Sequence, residues 1–270
     1  MTHQRSSNPI GIFDSGVGGL TVANAIHEQL PDEHLIYFGD TAHLPYGDKS
    51  RDAIRQYALT ICDYLLSQSC KAIVVACNSA ATAAFHELRS FLNGKAIFVE
   101  VVRPLVKAAA KYQPENVGLI ATKATVDSKE YEIQLKKILP DTNVHSMATP
   151  LLVPMIEEGF VDDEVSRTIL EEYLEHSDFS SLDMLLLACT HYPLIKPIIQ
   201  EYLQGVRILD SAEVTAAELS DKLKSAELLN PTPGKKDNAF YVSDFTETFE
   251  VNAQLFFGKN VSLKEARIWD

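Results

Sequence analysis

The sequence predicts an α/β fold of two similar lobes with mainly parallel sheets, pseudo-twofold related, and a site in the cleft between them. Three observations predict it. Short apolar runs alternate with longer segments of helical periodicity along the whole chain, the pattern of strands joined by helices. The pattern also repeats once: PIGIFDSGVGGLTV opens the first part, and NVGLIATKATV opens a second about a hundred residues later. Each opening leads, after roughly 60 to 70 residues, to an apolar strand ending in Ala-Cys, at Cys77 in one half and Cys189 in the other.

In chain order, strands are predicted at residues 9–13 (PIGIF), 34–38 (HLIYF), 71–76 (KAIVVA), 96–101 (AIFVEV), 116–120 (NVGLI), 183–188 (DMLLLA), 206–209 (VRIL) and 239–242 (AFYV). Each is a short apolar run bounded by polar or turn-forming residues, as strands covered on both faces require. Helical periodicity marks 19–30, 50–67, 79–92, 127–139, 162–175 and 211–227. The most loop-like stretch is NPTPGKKDN, residues 230–238. In open parallel sheets ligands bind beyond the carboxyl ends of the strands. Two lobes facing each other would therefore bring both cysteine-bearing ends to one ligand.

Composition narrows the function. The chain has 270 residues, a formal net charge of −13 and 46% hydrophobic residues. That is ordinary for a globular protein and argues against a nucleic-acid partner, which calls for a basic face. No apolar stretch approaches the roughly 20 residues that span a bilayer. The N-terminal MTHQRSSNP has no apolar signal core. A cytoplasmic protein with no membrane partner is expected.

Four cysteines, Cys62, Cys70, Cys77 and Cys189, are too few and too irregular for a disulfide framework, and no C-x-x-C or zinc spacing occurs. Cys62 lies in the helical pattern YALTICDYLLSQ and is expected to be a small buried hydrophobe. Cys70 is expected to begin the next strand. Cys77 and Cys189 differ, because both fall at strand-to-helix junctions. A helix start presents free N–H groups that favour a thiolate. The helix after Cys77 is expected near Ser79, and the one after Cys189 near Pro193.

Three uses of such a pair compete. A disulfide between the lobes is disfavoured in a reducing compartment. A Cys189–His191 nucleophilic pair leaves Cys77 without a role. Acid–base work on both faces of one carbon uses both thiols: racemisation removes a proton from one face and delivers one to the other. A thiol's ordinary pKa of about 8.5 needs only modest lowering for that task.

DSGVGGLTV (14–22), PYGDKS (45–50), ACNSAAT (76–82) and ACTHYPL (188–194), in this order, resemble the glutamate racemases of the cofactor-independent aspartate/glutamate racemase family. The resemblance covers nearly the whole chain. It implies interconversion of L- and D-glutamate with no cofactor and no metal, supplying D-glutamate for bacterial peptidoglycan, by a homodimer. It implies a first lobe over 1–98, a second over 99–210, and a C-terminal segment, 211–270, completing the first. Carried over residue by residue, Cys77 and Cys189 are the two acid/bases, serving the D- and L-enantiomer respectively. Asp14 helps manage the proton or the substrate ammonium; without the resemblance it could equally cap the next helix. His191 assists Cys189, where a structural hydrogen bond is its plainer role, and Glu157 in PMIEEGF lies near the second cysteine. Substrate binding falls to Asp14, Ser15, Pro45, Tyr46, Gly47, Asn78, Ser79, Thr122, Thr125, Thr190 and His191.

These motifs are nearly free of Arg and Lys, so neutral donors (helix-start N–H groups, hydroxyls and an amide) are expected to hold the carboxylates. Ala81 departs from the family, whose members often carry a hydroxyl there; Ser79 keeps the nearer one. Asp40 and His43 in GDTAH are expected to be loop structure. The glycines of DSGVGG lack the G-K-[ST] of a phosphate loop and the G-x-G-x-x-G spacing, and are expected to allow a tight strand-to-helix turn. No second Asp follows Asp14 as an aspartyl-phosphate phosphatase needs, and no lysine is singled out for a pyridoxal Schiff base. An aspartate racemase, a one-cysteine malonate decarboxylase and a catalytically silent binding protein are the rival readings. The paired cysteines count against the last two.

Overall fold

The computed structural model describes residues 6–232, 234, 237–258 and 261–269. The first sheet contains β1 (Ile10–Asp14), β2 (Leu35–Gly39), β3 (Ala72–Val75) and β4 (Ile97–Glu100), joined by β9 (Ala239–Val242) and β10 (Leu263–Glu265) from the end of the chain. Its order is β10-β9-β2-β1-β3-β4, and every neighbouring pair is parallel. The second sheet has β5 (Asn116–Ala121), β6 (Asn143–Ala148), β7 (Met184–Ala188) and β8 (Arg207–Asp210), again all parallel, in the order β6-β5-β7-β8. The core of the first sheet, β2-β1-β3-β4, thus has the same order as the whole of the second. In each, the chain reverses its direction of winding beside the first strand, which opens a crevice at the strands' carboxyl ends.

β1, β2, β3 and β7 are buried along their whole length, which is why they are continuous apolar runs. Helices α1 (Leu20–Gln29), α2 (Arg51–Ser67), α3 (Asn78–Leu92) and α4 (Val102–Ala110) follow the first four strands. Buried Ile61, Cys62 and Leu65 form the inner face of α2, so Cys62 is a packing residue. Cys70 does not begin β3: it sits in the turn before Ala72, buried against Gly11, where its sulfur is 3.0 Å from the position a Cβ would take. In the second lobe come α5 (Lys123–Asp127), α6 (Glu130–Ile138), α7 (Leu152–Glu157), α8 (Glu164–Leu174) and α9 (Lys196–Tyr202). Helix α10 (Ser211–Ser225) leaves β8 and packs on α1 and α4, and α11 (Glu247–Phe257) packs on α1. β4 extends past the 98/99 boundary drawn from sequence.

Two buried polar clusters fix long connections. Lys71, fully buried, pairs with Glu33 and also donates to the Ser6 carbonyl, while Glu33 accepts from the Asn230 amide at 2.9 Å. Asp40, just past β2, accepts from Tyr46 Oη (2.6 Å), Ser243 Oγ (2.8 Å) and Trp269 Nε1 (3.1 Å) and pairs with His43. Burying a carboxylate is costly unless it is so paired. Asp40 thereby ties the Pro45–Gly47 segment to the C-terminal strands.

The glycines after β1 lie in the short turn between Asp14 and Leu20. None of Gly16, Gly18 and Gly19 has a positive φ. What they provide is close approach: a Cβ on Gly18 would lie 2.3 Å from His191 Cε1, and one on Gly19 2.5 Å from the Asp14 Cβ. Gly18 is where the second lobe touches the first loop.

Candidate active site

The carboxyl ends of the two sheets enclose a cavity of about 270 Å³ lined by residues of both lobes. A larger hollow of about 490 Å³ lies near β4, among Arg103, Lys107 and Glu218, and contains neither strand-end cysteine. Chemistry rather than volume selects the first.

On one side β3 ends at Val75 and the chain turns into α3 with Cys77 as its N-cap. Cys77 Sγ accepts from the Ala80 amide at 3.4 Å, and its thiol donates to Ser15 Oγ at 3.6 Å. Burial, and then the charge of Asp14, push the Cys77 thiol up to about 12. Asp14 closes β1 and is fully buried, which raises its carboxyl pKa; His191 and the loop amides of Gly16, Gly19 and Ser15 oppose that rise. Its Oδ2 accepts from Gly16 N at 3.1 Å, and Oδ1 has no partner among the described residues. Asp14 is not the cap of α1, a position held by Gly19.

On the other side β7 ends at Ala188, and no α-helix begins at Pro193. A 3-10 turn, Tyr192–Ile195, intervenes before the seven-residue α9. Helix-start amides therefore do less for Cys189 than for Cys77. Instead Cys189 Sγ lies 3.8 Å from His191 Nδ1, and His191 Nε2 lies 2.8 Å from Glu157 Oε1 at the end of α7. Burial pulls the imidazole pKa down, but the bonds to Cys189 and Glu157 outweigh it and raise it to about 10. His191 is thus an imidazolium at neutral pH, a cation beside the Cys189 sulfur. The Phe256 ring packs edge-on against His191 at 4.9 Å, and Asn252 donates to the Glu157 carbonyl at 3.1 Å, so α11 steadies the relay from outside.

Of the residues singled out from sequence, Ser15, Pro45, Tyr46, Gly47, Cys77, Asn78, Ser79, Thr122, Glu157, Cys189, Thr190 and His191 line the cavity. Asp14 and Thr125 do not. Asp14 is buried behind the wall, and Thr125 lies behind Thr122, accepting its hydroxyl at 3.1 Å. Ser79 Oγ and Thr122 Oγ1, 3.0 Å apart, join the lobes across the cavity wall. Asn78 Oδ1 accepts from Tyr131 Oη at 2.5 Å, leaving Nδ2 buried without a partner among the described residues.

Lys123 and Thr149 also line the cavity and were not anticipated. Lys123 stands inside the quoted ATKAT, between two residues that were singled out. Thr149 follows β6, a strand that sequence alone did not reveal. With the His191 cation, Lys123 makes this site less bare of positive charge than the motifs suggest. Among the described residues no group of His, Cys, Asp and Glu is arranged to hold a metal ion, and the cysteines are free thiols.

Residues 10–219 match the family model for Asp/Glu/Hydantoin racemase. A glutamate racemase of Neisseria meningitidis serogroup C is 42% identical over 254 residues, covering 94% of each chain. The solved glutamate racemase of Francisella tularensis in complex with D-glutamate superposes with a TM-score of 0.91 at 34% identity, covering 97% of this chain and 98% of that one. The Thermus thermophilus glutamate racemase in complex with beta-chloro-D-alanine gives 0.88 at 40% identity over 97% of both chains. With likeness of this degree running nearly end to end, the chain belongs to the Asp/Glu/hydantoin racemase family, among its glutamate racemases.

Proposed function

We propose that the protein interconverts L- and D-glutamate by direct proton transfer at the α-carbon, with Cys189 and Cys77 as the two acid/bases and no cofactor. The observation that carries this reading is that two buried thiols at the ends of corresponding strands line one cavity in opposite electrostatic settings. With L-glutamate bound, Cys189 as a thiolate beside the His191 imidazolium takes the α-proton. The Cys77 thiol, held protonated by burial and by Asp14, delivers its own proton to the opposite face. The product is D-glutamate, with the thiolate now on Cys77 and the proton on Cys189; the reverse reaction restores the start. Glu157 keeps His191 charged and oriented, a positioning role.

Neutral donors support the substrate carboxylates in this reading: the Asn78 amide, the hydroxyls of Ser79, Thr122 and Thr190, and the first N–H groups of α3. Ser15, Pro45, Tyr46 and Gly47 complete the wall, and Asp14 acts on the ammonium and on Cys77 from behind it. The division into two lobes, a homodimer, a cytoplasmic location, a supply of D-glutamate for peptidoglycan, and the lack of nucleic-acid or membrane partners belong to the same proposal. The deciding experiment incubates the reduced protein with L-glutamate in D2O without cofactor, following optical rotation and the α-proton NMR signal together. Loss of rotation with deuterium entering the α-position is expected. No change with glutamate, but exchange with aspartate, would move the substrate to the shorter acid; silence with both would end the racemase reading.

A further inference from the structure

Tyr131 belongs to none of the sequence motifs, yet it makes one of the shortest hydrogen bonds beside the cavity. It sits in α6 of the second lobe, 1% exposed, and its hydroxyl donates across the lobe boundary to Oδ1 of Asn78, the first residue of α3. Among the described residues that hydroxyl has no other hydrogen-bond partner. Burial, then the charges of Glu100 and Cys189, raise the phenol pKa well above its ordinary value, so its proton stays and needs an acceptor. An Asn side chain can present either end of its amide. A buried phenol with one proton and one neighbour takes the carbonyl end for itself. The NH2 end is what remains, and among the described residues Nδ2 is buried without an acceptor, on a residue that lines the cavity.

Helix α6 is held in register for this contact. Glu130, next to Tyr131, accepts from Arg103 Nη2 at 2.6 Å, and Arg103 also bonds Glu100 at 3.2 Å. The Arg103 guanidinium lies 3.1 Å from the ring centroid of Phe85, a residue of α3. Arg103 in α4 therefore links the helix that carries Tyr131 to the helix that carries Asn78.

We propose that Tyr131 is a positioning residue for carboxylate recognition: it locks the Asn78 amide with its NH2 group reserved for a substrate carboxylate. A flipped amide would offer that carboxylate carbonyl lone pairs instead, a repulsive contact. The inference rests on the functional reading above, in which Asn78 binds substrate.

The test compares kcat and KM for glutamate racemisation in the parent, Tyr131→Phe, Asn78→Ala and the double variant. Calorimetric binding of D-glutamate carries the same comparison should turnover be absent. Tyr131→Phe keeps the ring and removes only the hydroxyl, so KM is expected to rise roughly three- to ten-fold, the worth of one hydrogen bond, with kcat within about two-fold. Asn78→Ala should raise KM at least as much, and the double variant should match Asn78→Ala alone, because the phenol then has no amide to orient. A merely structural Tyr131 would lower Tm and leave KM unmoved, which overturns the inference. So would independent, multiplying effects in the double variant. If Asn78→Ala itself leaves KM and binding unchanged, the assignment of Asn78 fails and takes the inference with it. Failure of the parent both to turn over and to bind glutamate condemns the functional reading instead.

Discussion

Cys77 and Cys189 follow corresponding strands of sheets with the same strand order, yet their surroundings carry opposite charge. The central strand beside Cys77 ends in a buried carboxylate, Asp14, where the central strand beside Cys189 ends in Ala121. Cys77 caps an α-helix of 15 residues; Cys189 meets a 3-10 turn and takes its neighbouring charge from a histidine held by Glu157. A repeated scaffold thus supplies two positions, and unrepeated residues set the charge beside each. For a reaction needing one acid and one base, symmetry of place with asymmetry of charge is the useful combination.

The widest break in the comparison comes from removing either thiol. Cys77→Ser and Cys189→Ser are each expected to lower the racemisation kcat by about a thousand-fold or more, since a hydroxyl is a poor base and each face needs its own. Polarimetry in both directions checks it. A serine variant near the parent rate would end the two-thiol account.

The next largest effect tests whether the lobes must touch at Gly18. Gly18→Ala would drive a methyl group into the His191 ring, whose Cε1 and Nδ1 lie 2.3 and 2.4 Å from the new Cβ. Displacing that ring by an ångström is expected to cost about a hundred-fold in kcat. Gly16→Ala is the control: its nearest contact, at 2.9 Å, is the end of the flexible Leu44 side chain, and activity should stay within a few-fold of the parent. Equal losses in both variants would mean a general loop defect rather than a His191 contact.

Gly18 also shows where sequence reading reaches and where it stops. The apolar runs of β1, β2, β3 and β7 were legible because strands buried on both faces have no polar side to interrupt them. Asn143–Ala148 was missed for the opposite reason: an edge strand with no fully buried residue looks like loop. Helices α5, α7 and α9, at seven residues or fewer, are too short for a 3.6-residue period to show. The strand-end cysteines could be found because their place is local to a motif. The His191–Glu157 contact, 34 residues apart in sequence, has no local signal, since it depends on how α7 packs; only the family resemblance put Glu157 near Cys189. The glycine cluster could be placed in the strand-to-helix turn, but whether a glycine serves φ or close approach depends on what folds against it.

The third prediction sharpens the contrast between the thiols without removing either. At pH 7 iodoacetamide should alkylate Cys189 at least about ten-fold faster than Cys77, because only the thiolate reacts. Raising the pH should narrow the gap, with Cys77 reactivity climbing up to the highest pH at which the protein stays folded, as a thiol pKa of about 12 requires. Glu157→Gln removes a charge that raises the His191 pKa, so the imidazolium should be lost at a lower pH than in the parent, checked by the histidine NMR titration. Mass spectrometry of the two modified peptides reads the ratio, and equal rates at neutral pH would remove the asymmetry.

The smallest expected effect concerns the seam between the halves. Thr122 caps α5 by accepting from the Thr125 amide at 3.4 Å, and its hydroxyl lies 3.0 Å from Ser79 Oγ in the other lobe. Thr122→Val keeps the shape and removes both of these interactions together with the hydroxyl's bond to Thr125 Oγ1 at 3.1 Å. The cap bond is long, and Ser79 can turn its hydroxyl towards the cavity, so the loss should be about 1 kcal/mol, or about 2 to 4 °C in Tm. Ser79→Ala removes the cross-lobe bond and leaves the cap, so the two variants divide the cost between helix and seam. If Ser79→Ala is silent in Tm while Thr122→Val is not, Thr122 stabilises through its own helix. If both lower Tm alike, the hydroxyl pair contributes to holding Cys77 and Cys189 on opposite sides of one cavity.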